Sequence, residues 1–288
     1  MKTIGAALAL ILAGGALASA TAEPVKLWEA EGLKTPESVL PVPAEGFAYV
    51  SNVDGKPTEK DGNGFISKIS LADGKVIALE WAKGLDAPKG LALAGGKLYT
   101  ADVDQLVEID PASGKIVAKY EAPGATFLND VAAGEDGSVY VSDSNTSTIW
   151  RLAGGKLEKF AEGPELKFPN GLLVQGDKLI VAAWGAPGTS AEKSDAASLL
   201  EVGLADKKVT NLGDGTPVGN LDGIEADGDD YIVSDWVAGK VFRIGKSGKA
   251  EELLALKQGA ADLGYVAADK LLLVPLMMEG KVAAYKLQ

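Results

Sequence analysis

Apolar residues in this chain gather into short runs bounded by turn residues. Six such runs, at 47–51, 98–101, 139–142, 179–182, 231–234 and 271–274, are rich in Tyr, Val, Ile and Leu. Runs of this length and composition predict buried β-strands. A hairpin turn precedes each one, at Glu45-Gly46, Gly95-Gly96, Asp136-Gly137, Gly176-Asp177, Asp227-Gly228 and Ala268-Asp269. A second turn follows in five units, at Asp73-Gly74, Ser113-Gly114, Gly154-Gly155, Asp206-Lys207 and Ser247-Gly248, and joins a third strand to a fourth.

Each unit opens on a similar strand start: T-P-E-S from Thr35, A-P-K-G from Ala87, F-L-N-D from Phe127, F-P-N-G from Phe168, N-L-D-G from Asn220 and D-L-G-Y from Asp262. Their third residues are Glu37, Lys89, Asn129, Asn170, Asp222 and Gly264, spaced 52, 40, 41, 52 and 42 apart. A repeat of about 40 residues with four strands is the size of a propeller blade. The sixth unit ends after its third strand, and the missing strand lies at the other end, where 25–33 resembles 76–85. The predicted fold is all-β: a six-bladed β-propeller over 23–288, closed by an N-terminal strand that completes the last blade.

The two long spacings place extra residues at 52–64 and 184–197, between the second and third strands of blades 1 and 4. These blades are opposite in a ring of six, and the insertions fall on the face where the innermost strands start. They are expected to flank the mouth of the ring; tolerated surface insertions are the plainer reading.

Composition narrows the chemistry. The chain has 288 residues, no cysteine, no histidine and a net charge of −12. Histidine-based triads and dyads, cysteine nucleophiles and His- or Cys-ligated zinc are excluded. The acidity argues against nucleic acid and anionic membrane surfaces as partners. Lys2, the apolar stretch 4–17 and Ala20-Thr21-Ala22 before Glu23 read as a signal peptide over 1–22. A membrane anchor is the alternative reading. Cleavage near Ala22-Glu23 implies a periplasmic or secreted protein, free of the membrane once mature.

Glu37, Asn129, Asn170 and Asp222 share one position of the repeat, so a closed ring brings four oxygen donors to one axis. Hard divalent ions take such carboxylate and amide oxygens. Calcium is the expected ion, with magnesium or manganese as alternatives. Asp130 would serve as an outer or additional ligand. The plain alternative is that these residues cap strands and line a wet channel. Lys89, at the matching position of blade 2, has two readings: its ammonium replaces the ion, or it points past the ion toward a substrate. Asn52, Asp102, Asp143 and Asp235 end the second strands, where their side chains are expected to bond loop N–H groups. Trp184, Trp236, Met277 and Met278 lie on upper loops, as pocket lining or as core.

Pro36-Glu37, Asn129-Asp130, Pro169-Asn170-Gly171 and Asp222-Gly223, in this order and spacing, resemble the regucalcin/gluconolactonase (senescence marker protein) family of six-bladed propellers. The resemblance spans 23–288. It implies one divalent ion held by Glu37, Asn129, Asn170 and Asp222, and hydrolysis of lactones with Asp222 as base or nucleophile. The chain departs from the family at Val131, where the family has glycine, and at 126–128, which lacks the arginine of family sugar lactonases. With the tryptophans and methionines, these departures point to a pocket more apolar than a sugar site. A non-catalytic propeller that binds a small ligand or a protein partner is the competing expectation.

Overall fold

Every predicted hairpin is present, and the hairpins stack into six four-stranded antiparallel sheets around one axis in the computed structural model, which describes residues 23–288. The first strand, β1 (Val25–Ala30), belongs to the last blade. Blade 1 contains β2 (Pro36–Val42), β3 (Phe47–Asn52), β4 (Gly64–Ser70) and β5 (Val76–Leu85). Blade 2 contains β6 (Pro88–Ala94), β7 (Lys97–Asp102), β8 (Gln105–Ile109) and β9 (Ile116–Glu121). Blade 3 contains β10 (Leu128–Ala133), β11 (Val139–Asp143), β12 (Thr148–Ala153) and β13 (Lys156–Glu162). Blade 4 contains β14 (Pro169–Gln175), β15 (Lys178–Ala183), β16 (Leu199–Gly203) and β17 (Val209–Asn211). Blade 5 contains β18 (Leu221–Asp227), β19 (Asp230–Asp235), β20 (Lys240–Ile244) and β21 (Ala250–Ala255).

Blade 6 contains β22 (Gly264–Val266), β23 (Leu271–Leu276) and β24 (Lys281–Lys286), with β1 as its outermost strand. The pairing of β1 with β24, from Val25 opposite Lys286 to Ala30 opposite Val282, closes the ring as the sequence predicts. Its apolar partners are Ala30, Leu33, Val39, Leu273 and Val282, packed between blades 6 and 1 with Trp28 against them. Equivalent clusters fill the other junctions, such as Tyr49, Ile66 and Leu98 between blades 1 and 2, and Ile180, Leu199 and Tyr231 between blades 4 and 5. The core is therefore distributed between blades, and the axis is left to polar residues.

The innermost strands share one irregularity. In blades 1 to 5 the inner ladder slips between Pro36 and Val39, Pro88 and Leu91, Leu128 and Val131, Pro169 and Leu172, and Leu221 and Ile224. A β-bulge puts two residues where the ladder has room for one and re-aims their side chains. The N–H groups it frees are taken up by serines of the second strand. Ser51, Ser142 and Ser234 Oγ accept from the N–H of Ser38, Asp130 and Gly223 at 2.8–2.9 Å. In blade 4 the second bulge position is crowded by blade 5: a Cβ on Gly171 would lie 2.1 Å from the Asp222 carbonyl oxygen. Glycine there is a packing requirement.

Blade 6 corrects one expectation. Its ring position is Ala261, not Gly264. Ser234 Oγ donates to the Ala261 carbonyl just as Ser142 Oγ donates to that of Asn170, both at 2.8 Å. Asp262 bridges Ser38, at the second bulge position. The inner strand of this blade pairs over only three residues, so its start lies outside a continuous ladder.

Among the described residues no helix is long and apolar enough to cross a membrane. The signal peptide expected over 1–22 lies outside the described residues.

Candidate functional site

At the face where the innermost strands begin, the bulges bring Glu37, Lys89, Asn129, Asn170 and Asp222 to the floor of one cavity of about 250 Å³. All five are buried, at 2–5% exposure. The four expected oxygen donors therefore converge, and Lys89 joins them.

Two carboxylate oxygens on this floor, Glu37 Oε2 and Asp222 Oδ1, are buried without a hydrogen-bond partner. Such atoms are costly, because desolvation is not repaid by a donor. Burial, followed by the charge of Asp222, pushes the Glu37 carboxyl well above the usual carboxylate range. Burial and the charge of Asp262 do the same to Asp222, against a hydrogen bond from Asn170 that pulls it down. Asn129 Nδ2 donates to Ser144 Oγ at 3.1 Å, which leaves its carbonyl oxygen as the free end of the amide. Ser144 Oγ in turn donates to the Pro169 carbonyl at 2.8 Å.

These features fit a hard cation. Two unpaired carboxylate oxygens offer the charge of one divalent ion, and two amides add neutral oxygen. Among the described residues no three Asp or Glu side chains converge closely enough to hold an ion by themselves. An ion held on this floor by three or more side chains draws on the amides.

Lys89 lines the cavity, with its ammonium tied to backbone. Its Nζ donates to the carbonyls of Pro57 at 2.8 Å and Ala87 at 3.0 Å, and lies 4.7 Å from the centroid of the Phe127 ring. Both hydrogen bonds go to backbone, so the orphaned oxygens of Glu37 and Asp222 get no donor from it. Burial lowers its ammonium to about 8, although the Glu37 charge opposes that shift.

Above the floor the wall is apolar, formed by Phe127, Phe168, Trp184, Trp236 and Met277. The Trp184 and Trp236 rings lie 6.0 Å apart and tilted by 49°. Trp236 Nε1 points to Met277 Sδ at 3.4 Å. Met278 is 65% exposed and lies outside the cavity lining. The two long loops flank the mouth as expected, contributing Pro57 from blade 1 and Pro187 from blade 4. Each is tied to the neighbouring blade: Lys60 Nζ pairs with Asp104 at 2.6 Å, and Gln258 Nε2 donates to Glu192 at 3.2 Å.

Residues ending the second strands anchor loops, as expected. Asn52 accepts from Lys34 N, Asp102 from Asp86 and Ala87, Asp143 from Thr126 and Phe127, and Asp235 from Ala238.

Asp130 does not line this cavity. It faces a second one, about 310 Å³, farther along the inner strands, together with Ser38, Glu225 and Asp262. Its carboxylate accepts from Val131 N at 2.7 Å and Leu172 N at 2.6 Å, which joins blade 3 to blade 4. Asp262 accepts from Ser38 Oγ at 2.5 Å. Asp262 and Glu225 were not singled out from sequence. A signal for Asp262 exists: Asp262-Leu263 matches Ser38-Val39, Gly90-Leu91, Asp130-Val131, Gly171-Leu172 and Gly223-Ile224, a small or acidic residue before a branched apolar one.

No protein-family model and no curated protein sequence matches the chain. Solved structures share its fold. A gluconolactonase from Xanthomonas campestris superposes with a TM-score of 0.66 at 17% identity, over 90% of this chain and 88% of that one. A streptogramin B lyase gives 0.61 at 13% identity, over 92% and 97%. A virginiamycin B lyase from Staphylococcus aureus, a catalytically inactive histidine-to-alanine variant with quinupristin, gives 0.58 at 16% identity, over 90% and 99%. At these identities the likeness is one of fold.

Proposed function

We propose that this chain is a divalent-metal-dependent hydrolase of a lactone or related ester, acting in the periplasm or outside the cell. The observation that carries the reading is the pair of buried, unpartnered carboxylate oxygens of Glu37 and Asp222, flanked by Asn129 and Asn170 beneath an open cavity. The gluconolactonase among the structures that share the fold supports it. The inactive lyase variant weakens transfer of that lyase chemistry, since its activity is described as lost with a histidine and this chain has none.

Glu37, Asn129, Asn170 and Asp222 are the residues that would hold the ion, with calcium preferred over magnesium or manganese. When bound, the ion supplies Lewis-acid polarisation of a carbonyl oxygen and favours the ionised form of both carboxylates. Asp222 is then the base: it takes a proton from the water whose oxygen attacks the ester carbonyl carbon. The ring C–O bond breaks, and the departing alkoxide oxygen recovers a proton to give the hydroxy acid. Direct attack by the Asp222 carboxylate is the alternative route. Lys89 adds a positive charge beside the site, and the aromatic wall limits water around the reacting bond.

The test is Asp222→Ala in the full chain, read as calcium binding and lactone turnover together, with circular dichroism as the check on folding. Loss of both with the fold intact is expected. Retained turnover rejects Asp222 as the base. Retained calcium binding in a wild-type protein that hydrolyses no lactone or ester favours the second reading, a ligand- or protein-binding propeller that uses the same cavity.

A further inference from the structure

We infer that the substrate is a small apolar lactone or ester, carrying an aromatic ring or a short alkyl group, and not a polyhydroxylated sugar lactone. This rests on the hydrolase reading above and names the substrate class for the same site.

The argument begins with the polar groups a sugar would require. A polyhydroxylated ring presents several hydroxyls, and each one buried without a partner weakens binding by roughly tenfold or more. Side chains above the floor offer little to meet them. Ser144 Oγ already accepts from Asn129 and donates to the Pro169 carbonyl. Trp236 Nε1 is directed to Met277 Sδ, and two donor positions of Lys89 are taken by backbone carbonyls. Asn145 borders the cavity from an exposed position at its rim.

What remains is a surface suited to rings. Trp184 and Trp236 present two tilted indoles, and Phe168 and Phe127 continue the wall. Aromatic groups pack on such faces in offset or edge-on arrangements. Phe168 also has φ +59°, a backbone region that bulky residues rarely occupy. It is held there by its N–H on Ser147 Oγ at 3.3 Å and its carbonyl under Trp184 N at 3.0 Å. Thr35, the equivalent residue of blade 1, shares this backbone conformation, which therefore belongs to the strand start; in blade 4 the ring it carries lines the cavity. The volume of about 250 Å³ falls just below the range of roughly 300–1,000 Å³ for drug-sized ligands, which limits the substrate to about one or two rings.

The experiment compares dihydrocoumarin, a benzo-fused lactone, with glucono-δ-lactone, using the calcium-supplemented full chain. Two readouts are taken: kcat/KM by pH-stat, and Kd by calorimetry under conditions where turnover is slow. We expect dihydrocoumarin to be preferred by roughly a hundredfold or more in both. Trp236→Ala and Met277→Ser are each expected to weaken its binding roughly tenfold while calcium still binds. The second variant guards against a folding defect in the first.

Equal or better turnover and binding of glucono-δ-lactone overturns the apolar assignment and leaves the hydrolase reading standing. Saturable binding of dihydrocoumarin without turnover of either compound supports the apolar site and overturns the hydrolase reading. Failure to bind dihydrocoumarin overturns the apolar assignment whatever the turnover.

Discussion

Two successive rings of residues line the axis of this propeller, and they use the same backbone device for opposite purposes. The first ring is Glu37, Lys89, Asn129, Asn170, Asp222 and Ala261. The second, one residue along each inner strand, is Ser38, Gly90, Asp130, Gly171, Gly223 and Asp262. Both contain two buried carboxylates. In the second ring the carboxylates have donors: Asp130 binds two backbone N–H groups and Asp262 the Ser38 hydroxyl. In the first ring Glu37 and Asp222 each have an oxygen with no donor, facing a cavity. Burial alone therefore does not mark a functional carboxylate. What distinguishes the two pairs is the oxygen left without a donor.

Substitutions separate the two rings. The largest effect is expected from Asp222→Ala, a fall of roughly a thousandfold or more in kcat/KM for the preferred lactone. It removes a buried carboxylate with one oxygen left without a donor, at the loss of a single hydrogen bond from Asn170, so the melting temperature of the calcium-free protein should not fall. A lower melting temperature would show that Asp222 is structural. Asp130→Ala should do the reverse. It strips the Val131 and Leu172 N–H groups of their acceptor, at a cost of about 3 kcal/mol. Chemical denaturation measures that loss, while calcium stoichiometry should be unchanged.

Acidity separates the buried carboxylates of both cavities from an ordinary surface cluster. Burial pushes Asp262 up to about 7, against the Ser38 hydrogen bond, and burial with the Asp262 charge pushes Glu225 up to about 8. In the unfolded chain both ionise near pH 4. Between there and about 8 the native state holds more protons than the unfolded chain, so stability declines as pH rises. The calcium-free melting temperature should therefore drop from pH 5 to pH 8. A flat or rising profile contradicts this. The smallest effect on stability is expected from Lys89→Met, which cuts the tether to the Pro57 carbonyl. Hydrogen exchange should quicken in loop 53–63, with global stability little changed.

Much of this was legible in the sequence, for identifiable reasons. Turn residues at matching places fixed the six units, and the similarity of 25–33 to 76–85 located the closing strand. Glu37, Asn129, Asn170 and Asp222 were legible because each precedes the same hairpin in its own blade. The sixth blade was misaligned: its ring position is an alanine, and its inner ladder is too short to announce where it begins. Asp130, expected as an outer or additional ligand, lines the second cavity because a bulge turns adjacent side chains to different places. The role of Lys89 depends on where Pro57 lies, on an insertion whose path no local pattern specifies.

The central claim is that the first ring holds a divalent ion and the second does not. It is tested most directly by calorimetric titration of the chelator-stripped protein with calcium, comparing wild type, Glu37→Gln and Asp130→Asn. The account predicts one ion per chain for wild type and for Asp130→Asn, and binding weakened roughly tenfold or more in Glu37→Gln. No calcium binding by the wild type, or binding indifferent to Glu37→Gln, would contradict it.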